Sequence, residues 1–394
     1  LTLAQYAVAD SNGDFHFTPT SDASQPVYND PFAEVSVYHH ANWVYRYFRL
    51  THGYSNPRNH VALANYGEDA STAYDNAFFT QVGVNDYLLA MGQGGNVDLG
   101  YDGDVIYHEF GHSVIDGITR MTSQFEMMDE WGTNTGPGGI HEGLADYWAA
   151  TLTDDPVMGK YSLEGLQAGA GRDLSVTKVC PDDIWGEVHD DGEVFGAAAW
   201  ASRVAVDDAA AHDDLMYGAL SMQTSRATFA DFAQGMLDTA QAMLGDGDLT
   251  QTQVDGVRSA LEDHGMLDCG RSVTLTDSVE AKTNARINFA LIAMMLSQFG
   301  GQPMSCEAAR TANMPMINRP FPAIPGNFQF KATVPANATS LTLRVRHEPG
   351  TDLQFWVHAR RGEMVHFAES NFMGFTFVDV DDFDYAFGPF DSAD

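Results

Sequence analysis

Positive charge is what this sequence has least of. Its 394 residues carry 20 Lys and Arg against 54 Asp and Glu, a formal charge of -34, and the lysines are only Lys160, Lys178, Lys282 and Lys331. Binding to a phosphate backbone needs clustered Lys and Arg, so nucleic acid is not expected as a partner. Long apolar runs are also missing. The most apolar stretch, Ile287 to Leu296, falls short of the roughly 20 residues of a membrane helix, and Arg286 and Asn288 interrupt its start, so no membrane span is expected. Cysteine is scarce: Cys180, Cys269 and Cys306 permit one internal disulfide, with Cys269 and Cys306 as the expected pair. Leu1-Thr-Leu-Ala offers neither an initiating Met nor a charged-then-apolar leader and reads as a processed or trimmed chain. What is abundant is acid, which implies a strongly hydrated surface, bound divalent cations or a salty medium.

The length predicts two or three domains. Residues 1–30 are rich in Asp, Ser, Asn, Thr and Pro and read as an extended or strand-containing lead-in with a turn at Asp10 to Asp14. Helical spacing follows from Ala33 to Leu50, then short apolar runs between turn residues from His60 to Met91, as in strands. Helices are predicted near Gly103 to Gly117, Gly139 to Leu152, Glu193 to Val206, Thr228 to Leu244 and Gln251 to Glu262, the last stopped by Gly265. Strands followed by helices imply an α+β fold. Beyond Cys269 come an apolar stretch, a Pro-rich segment from Asn318 to Gly326, and strand candidates at Leu341 to Val345, Leu353 to Val357 and Met364 to Phe367.

The chemistry is concentrated in His108-Glu-Phe-Gly-His112, inside a helical pattern. Residues four apart share one helix face, so both imidazoles can reach one zinc ion, and Glu109 beside them can take a proton from an attacking water. Glu142 and Asp146 lie one turn apart on the next helix. Glu142 can complete the metal site while Asp146 accepts the other ring nitrogen of a ligating histidine. The neighbouring His141 reads as structural, with the alternative that it competes as a ligand. A three-histidine site fails, because Ile115 and Ile118 occupy the positions it requires. His189, read as a loop residue just ahead of a helix, is the candidate to hold an oxyanion, with Asp190 or Asp191 orienting it.

These segments in this order, His108-Glu-Phe-Gly-His112, Glu142-Gly-Leu-Ala-Asp146 and Val188-His-Asp-Asp-Gly-Glu-Val194, resemble the fungalysin-like and thermolysin-like zinc endopeptidases over about residues 30–268. The resemblance implies a two-lobed fold: a β-rich N-terminal lobe with the first zinc helix (1–137), a mainly helical C-terminal lobe (138–268), then a connecting segment (269–320). Residues 321–394 resemble the small β-sandwich module of secreted bacterial peptidases. By the same likeness His108, His112 and Glu142 bind zinc, Glu109 is general base and acid, Asp146 supports a ligand, and His189 stabilises the transition state. Tyr74-Asp-Asn-Ala-Phe78 resembles the edge strand of thermolysin relatives, so Asn76 and Ala77 would bind substrate main chain. Arg172 would steady substrate, with an ordinary buried ion pair as the alternative. Asp104, Asp154 and Asp155 are possible calcium ligands.

One departure stands out: no Tyr occurs from Ser113 to His141, where thermolysin has one that assists the oxyanion. That stretch holds Phe125, Trp131 and three Met, and is expected to shape the cleft. The implied protein is a secreted monomer acting on protein or peptide substrates, with a cleaved pro-segment. The competing reading is a surface-binding or adhesive protein with a structural or vestigial zinc site; an exopeptidase would need a motif for the free terminus, and none is seen.

Overall fold

The computed structural model describes residues 4–19, 29–67, 72–124, 127–275, 328–340, 355–372, 375–382 and 384–390. They form a mixed α/β structure compatible with the expected α+β class. The helices are α1 Pro31–Thr51, α2 Gly103–Thr119, α3 Gly136–Thr153, α4 Ser162–Leu166, α5 Val188–Val206, α6 Ala209–Ser221, α7 Phe229–Asp246 and α8 Gln251–Asp263. The strands are β1 Asn59–Tyr66, β2 Ala77–Val82, β3 Asp86–Gly92, β4 Met127–Asp129, β5 Gly132–Asn134, β6 Val157–Met158, β7 Arg172–Asp173, β8 Ser272–Leu275, β9 Gln329–Ala332, β10 Phe355–Ala359, β11 His366–Phe372, β12 Phe375–Asp382 and β13 Tyr385–Phe390. None of the described helices is long and apolar enough to cross a membrane.

Local chemistry sets the helix ends. Asp30 caps α1 by accepting from Phe32 N–H at 2.8 Å, and Pro31 supplies a preset first-turn φ. Reciprocal capping boxes open α7 (Thr228 with Asp231) and α8 (Thr250 with Gln253). The expected helices are present, the short α4 is an addition to them, and two further differences concern α5 and α6. The helix predicted at Glu193 to Val206 starts at Val188, five residues earlier, so His189 lies within a helix and not in a loop. The other is α6, which was not anticipated: Asp207, at φ 52, breaks the chain after α5, and Asp208 caps the new helix by accepting from Ala211 N–H. Two adjacent Asp residues look like a loop in sequence but here act as a stop and a start.

Two compact units are present. The first comprises Leu1–Phe125, Gly136–Cys180 and Val188–Leu267. Its three-stranded sheet has the order β1-β3-β2, with β1 parallel and β2 antiparallel to β3, which leaves β2 at an edge. The core is built from α1, α2, α3 and α5, with Phe48, Phe110 and Trp148 fully buried and in ring contact. In the lead-in the Asp10 turn forms, Asp10 Oδ1 accepting from Asn12 and Asp14, and no strand occurs among the described residues before α1.

The second unit comprises Glu126–Thr135, Pro181–Glu187 and Asp268–Asp394. It contains the β4–β5 hairpin, the parallel pair β8–β9 and the antiparallel pairs β10–β13 and β11–β12. Arg271 ties the hairpin through Asp129 at 2.7 Å, and Gln329 bonds the backbone oxygens of Trp131 and Val365. The hairpin, part of the Ser113 to His141 stretch expected to shape a cleft, is therefore held by residues of the C-terminal segment. Strands β10 and β11 overlap the candidates at Leu353 to Val357 and Met364 to Phe367 over residues 355–357 and 366–367, whereas Leu341 to Val345, Ile287 to Leu296 and the Pro-rich segment lie outside the described residues. Cys180 and Cys269 are both disulfide-bonded, which in a chain of three cysteines overturns the expected pairing of Cys269 with Cys306.

Candidate metal centre

The centre is made where α2, α3 and α5 touch, and glycine lets them touch. A Cβ on Gly111 of α2 would lie 3.2 Å from Ala145 Cα of α3. A Cβ on Gly143 of α3 would lie 2.2 Å from the Gly192 carbonyl oxygen of α5, and one on Gly192 would lie 2.8 Å from Glu142 Cβ. Any side chain at the second crossing would drive the helices apart. Each glycine sits inside one of the three sequence segments that carry the chemistry, so their close approach brings those segments to one place.

His108, His112 and Glu142 offer three ligand atoms within 4.8 Å of one another, all buried, and can hold a metal ion. Among the described residues this is the only such group of three or more His, Cys, Asp and Glu. His108 Nε2 lies 3.2 Å from Glu142 Oε2, and His112 Nε2 lies 3.6 Å from Glu142 Oε1. Glu142 Oε2 is buried without a hydrogen-bond partner. A buried carboxylate that turns one oxygen toward each of two imidazole nitrogens, with Oε2 unmatched, fits a cation, since a buried acceptor left unmatched costs on the order of 1–3 kcal/mol.

Both imidazoles are oriented from behind. His108 Nδ1 meets Asp146 Oδ1 at 2.7 Å, and Arg172 clamps the same carboxylate through Nε at 2.6 Å and Nη2 at 2.7 Å. His112 Nδ1 meets His141 Nδ1 at 2.6 Å, and His141 Nε2 meets Thr122 Oγ1 at 3.0 Å. These contacts leave both Nε2 atoms for the site. His141 thus braces a ligand, a role its position beside Glu142 did not reveal in sequence. Arg172 forms the buried ion pair given as its alternative reading, bonding Asp146 through Nε and Nη2.

The charges follow from the packing. Burial opposes ionisation of Asp146, but Arg172 and His108 outweigh it and hold the carboxyl well below its usual range. Burial also opposes ionisation of Glu142, and His112, His108 and His189 overcome it, leaving the carboxylate charged. At Glu109 burial prevails: the carboxyl is raised to about 7, although His108 pulls it down. His189 is half exposed, with Nε2 3.5 Å from Glu142 Oε2. A buried carboxyl of raised pKa on the same helix turn as the two imidazoles is suited to exchange protons near neutral pH.

Phe79 on β2 stands 6.1 Å from His112, ring to ring, so the edge strand runs past the site. Asn76 O accepts from Gly92 N–H on β3, and Ala77 N–H bonds Asn76 Oδ1. The possible calcium ligands are not gathered into one group of three. Asp154 reaches Arg203 at 3.2 Å and Asp155 pairs with Lys160, while Asp104 accepts from Gly159 N–H and is raised to about 6 by burial. No known protein family matches the sequence, and no curated protein matches it either.

Proposed function

We propose that this chain is a secreted, zinc-dependent endopeptidase of the thermolysin-like and fungalysin-like kind, with a two-lobed catalytic part and a C-terminal β-sandwich module. The observation that carries the reading is the buried His108, His112 and Glu142 group with Glu109 inside the same helix turn. Two imidazoles and one carboxylate are a hydrolytic zinc set with a fourth position left open, whereas a structural site would close with four protein ligands. The disulfide-bonded cysteines accord with an oxidising compartment.

Bound zinc supplies a Lewis acid for the scissile carbonyl and acidifies the attacking water. The chain's residues do the rest. Glu109 takes the proton from that water and returns it to the leaving amine, a task for which its raised pKa suits it. His189 donates to the developing oxyanion from the half-exposed side of Glu142. Asp146, held by Arg172, fixes the ring of His108, and His141 fixes that of His112. The substrate backbone adds to the outer edge of β2 at Asn76 and Ala77. Substrates are unfolded proteins or peptides bound to a monomer.

The deciding experiment is hydrolysis of a quenched casein-type substrate before chelation, after chelation and after zinc is restored. Activity that vanishes and returns supports the reading; a zinc-loaded protein that cleaves no unfolded substrate overturns it.

A further inference from the structure

Away from the metal centre, three side-chain oxygens among the described residues are buried without a hydrogen-bond partner: Asp98 Oδ2, Gln93 Oε1 and Asn65 Oδ1. They belong to one neighbourhood. Gln93 and Asp98 face each other across an isolated antiparallel bridge, closed by Gly94 N–H donating to Val97 O at 2.9 Å, so their side chains stand on the same face. Gln93 N–H donates to Tyr66 O at 3.2 Å, next in sequence to Asn65. Asn65 Nδ2 donates to Asp30 O at 3.1 Å, and the charge of Asp30 acts on Asp98. Asp98 and Gln93 are each only 2% exposed.

All three atoms are acceptors. Asp98 Oδ1 is already used by Gly100 N–H at 2.8 Å, and no Lys or Arg among the described residues pairs with Asp98. Burial raises the Asp98 carboxyl to about 7, so the protein itself does little to keep this group charged. One carboxylate and two amide carbonyls, all hard oxygens, make a donor set for calcium and not for zinc.

We propose that Asp98, Gln93 and Asn65 bind a calcium ion, at a site separate from the His108, His112 and Glu142 group. The ion joins the end of the β1–β3 pair to the segment that leads into α2, the helix that carries both histidines. It also stands beside Asp30, the cap of α1. Its occupancy therefore stabilises the frame on which α2 is mounted. The inference does not depend on the proposed activity.

The test uses the full chain with its zinc retained, calcium chloride as the probe, and two readouts: bound calcium by equilibrium dialysis and the thermal midpoint. Wild type should bind one equivalent more than Asp98→Asn, and its midpoint should rise with calcium while that of the variant does not. Asn65→Asp adds a charge at a backbone φ of 54, which Asp tolerates, and should tighten binding by about tenfold. Equal stoichiometry and equal calcium response in wild type and Asp98→Asn overturn the proposal. If Asp98→Asn does not fold, an Asn65→Asp affinity equal to that of wild type overturns it.

Discussion

The helix α3 serves two buried polar clusters that use the same residue types to opposite ends. On one side Glu142 and Asp146 face α2, and Glu142 Oε2 has no hydrogen-bond partner. On the other, Tyr147 and Thr151 meet His212 and Asp213 of α6. There Tyr147 Oη donates to Asp213 Oδ1 at 2.7 Å, Thr151 Oγ1 to the same oxygen at 2.8 Å, and Tyr47 Oη of α1 to Oδ2 at 2.6 Å. Ser202 of α5 bonds His212, and Arg203 lies 3.5 Å from Asp213. Hydroxyls close that cluster and tie four helices together. A buried His and Asp pair is thus not in itself a functional signal; what separates the two clusters is whether the acceptors are matched.

The comparison can be broken at either end. The largest effect is expected from Glu109→Gln, which should retain zinc and lower kcat by about 10^3-fold, measured by steady-state hydrolysis beside metal analysis. Unchanged turnover would sink the general-base assignment. Next is Asp213→Ala, which strips the closed cluster of its acceptor. It should lower the unfolding free energy by about 3 kcal/mol in denaturant titration with metal content unchanged, and loss of metal would mean the clusters are coupled. Asp146→Asn should weaken zinc affinity about 10- to 100-fold by competitive chelation and, because it leaves the buried Arg172 guanidinium unpaired, should also lower the stability of the zinc-free fold.

The smallest effect is in pH dependence. His60, stacked on Phe110 and bonded to Ser113 Oγ, is lowered to about 4, and His212 to about 3, both by burial. Both are neutral in the folded chain and take up protons on unfolding below their ordinary 6.5. Their contribution is complete above pH 6.5 and is lost as pH falls toward 4 and 3. Thermal midpoints should decline over that window, and His212→Gln should flatten the slope; a slope identical to wild type would remove His212 from the account.

Much of the metal centre was legible because it is local. His108, Glu109 and His112 share a helix face by spacing alone, as do Glu142 and Asp146, and the Asp146 contact to His108 follows once the two helices face each other. An ion pair for Arg172 and a structural place for His141 were legible, but not their partners Asp146 and His112, since each is a contact with another segment. One signal was available: Gly111, Gly143 and Gly192 lie inside the motifs, and a glycine within a helical motif marks a close crossing.

The sequence by itself determined the amphipathic periods, the capping boxes of α7 and α8, the acid surface and the order of the metal-binding segments, because each depends on neighbours a few residues apart. Only the tertiary structure decided that α5 starts early enough to include His189, that Asp207 and Asp208 separate two helices, and that Cys306 is not the partner of Cys269. It also decided which buried carboxylates are closed by hydroxyls and which are left with an unmatched oxygen. The repeat of a helix is fixed by its own backbone, whereas the distance between two helices is set by the side chains that happen to lie where they cross.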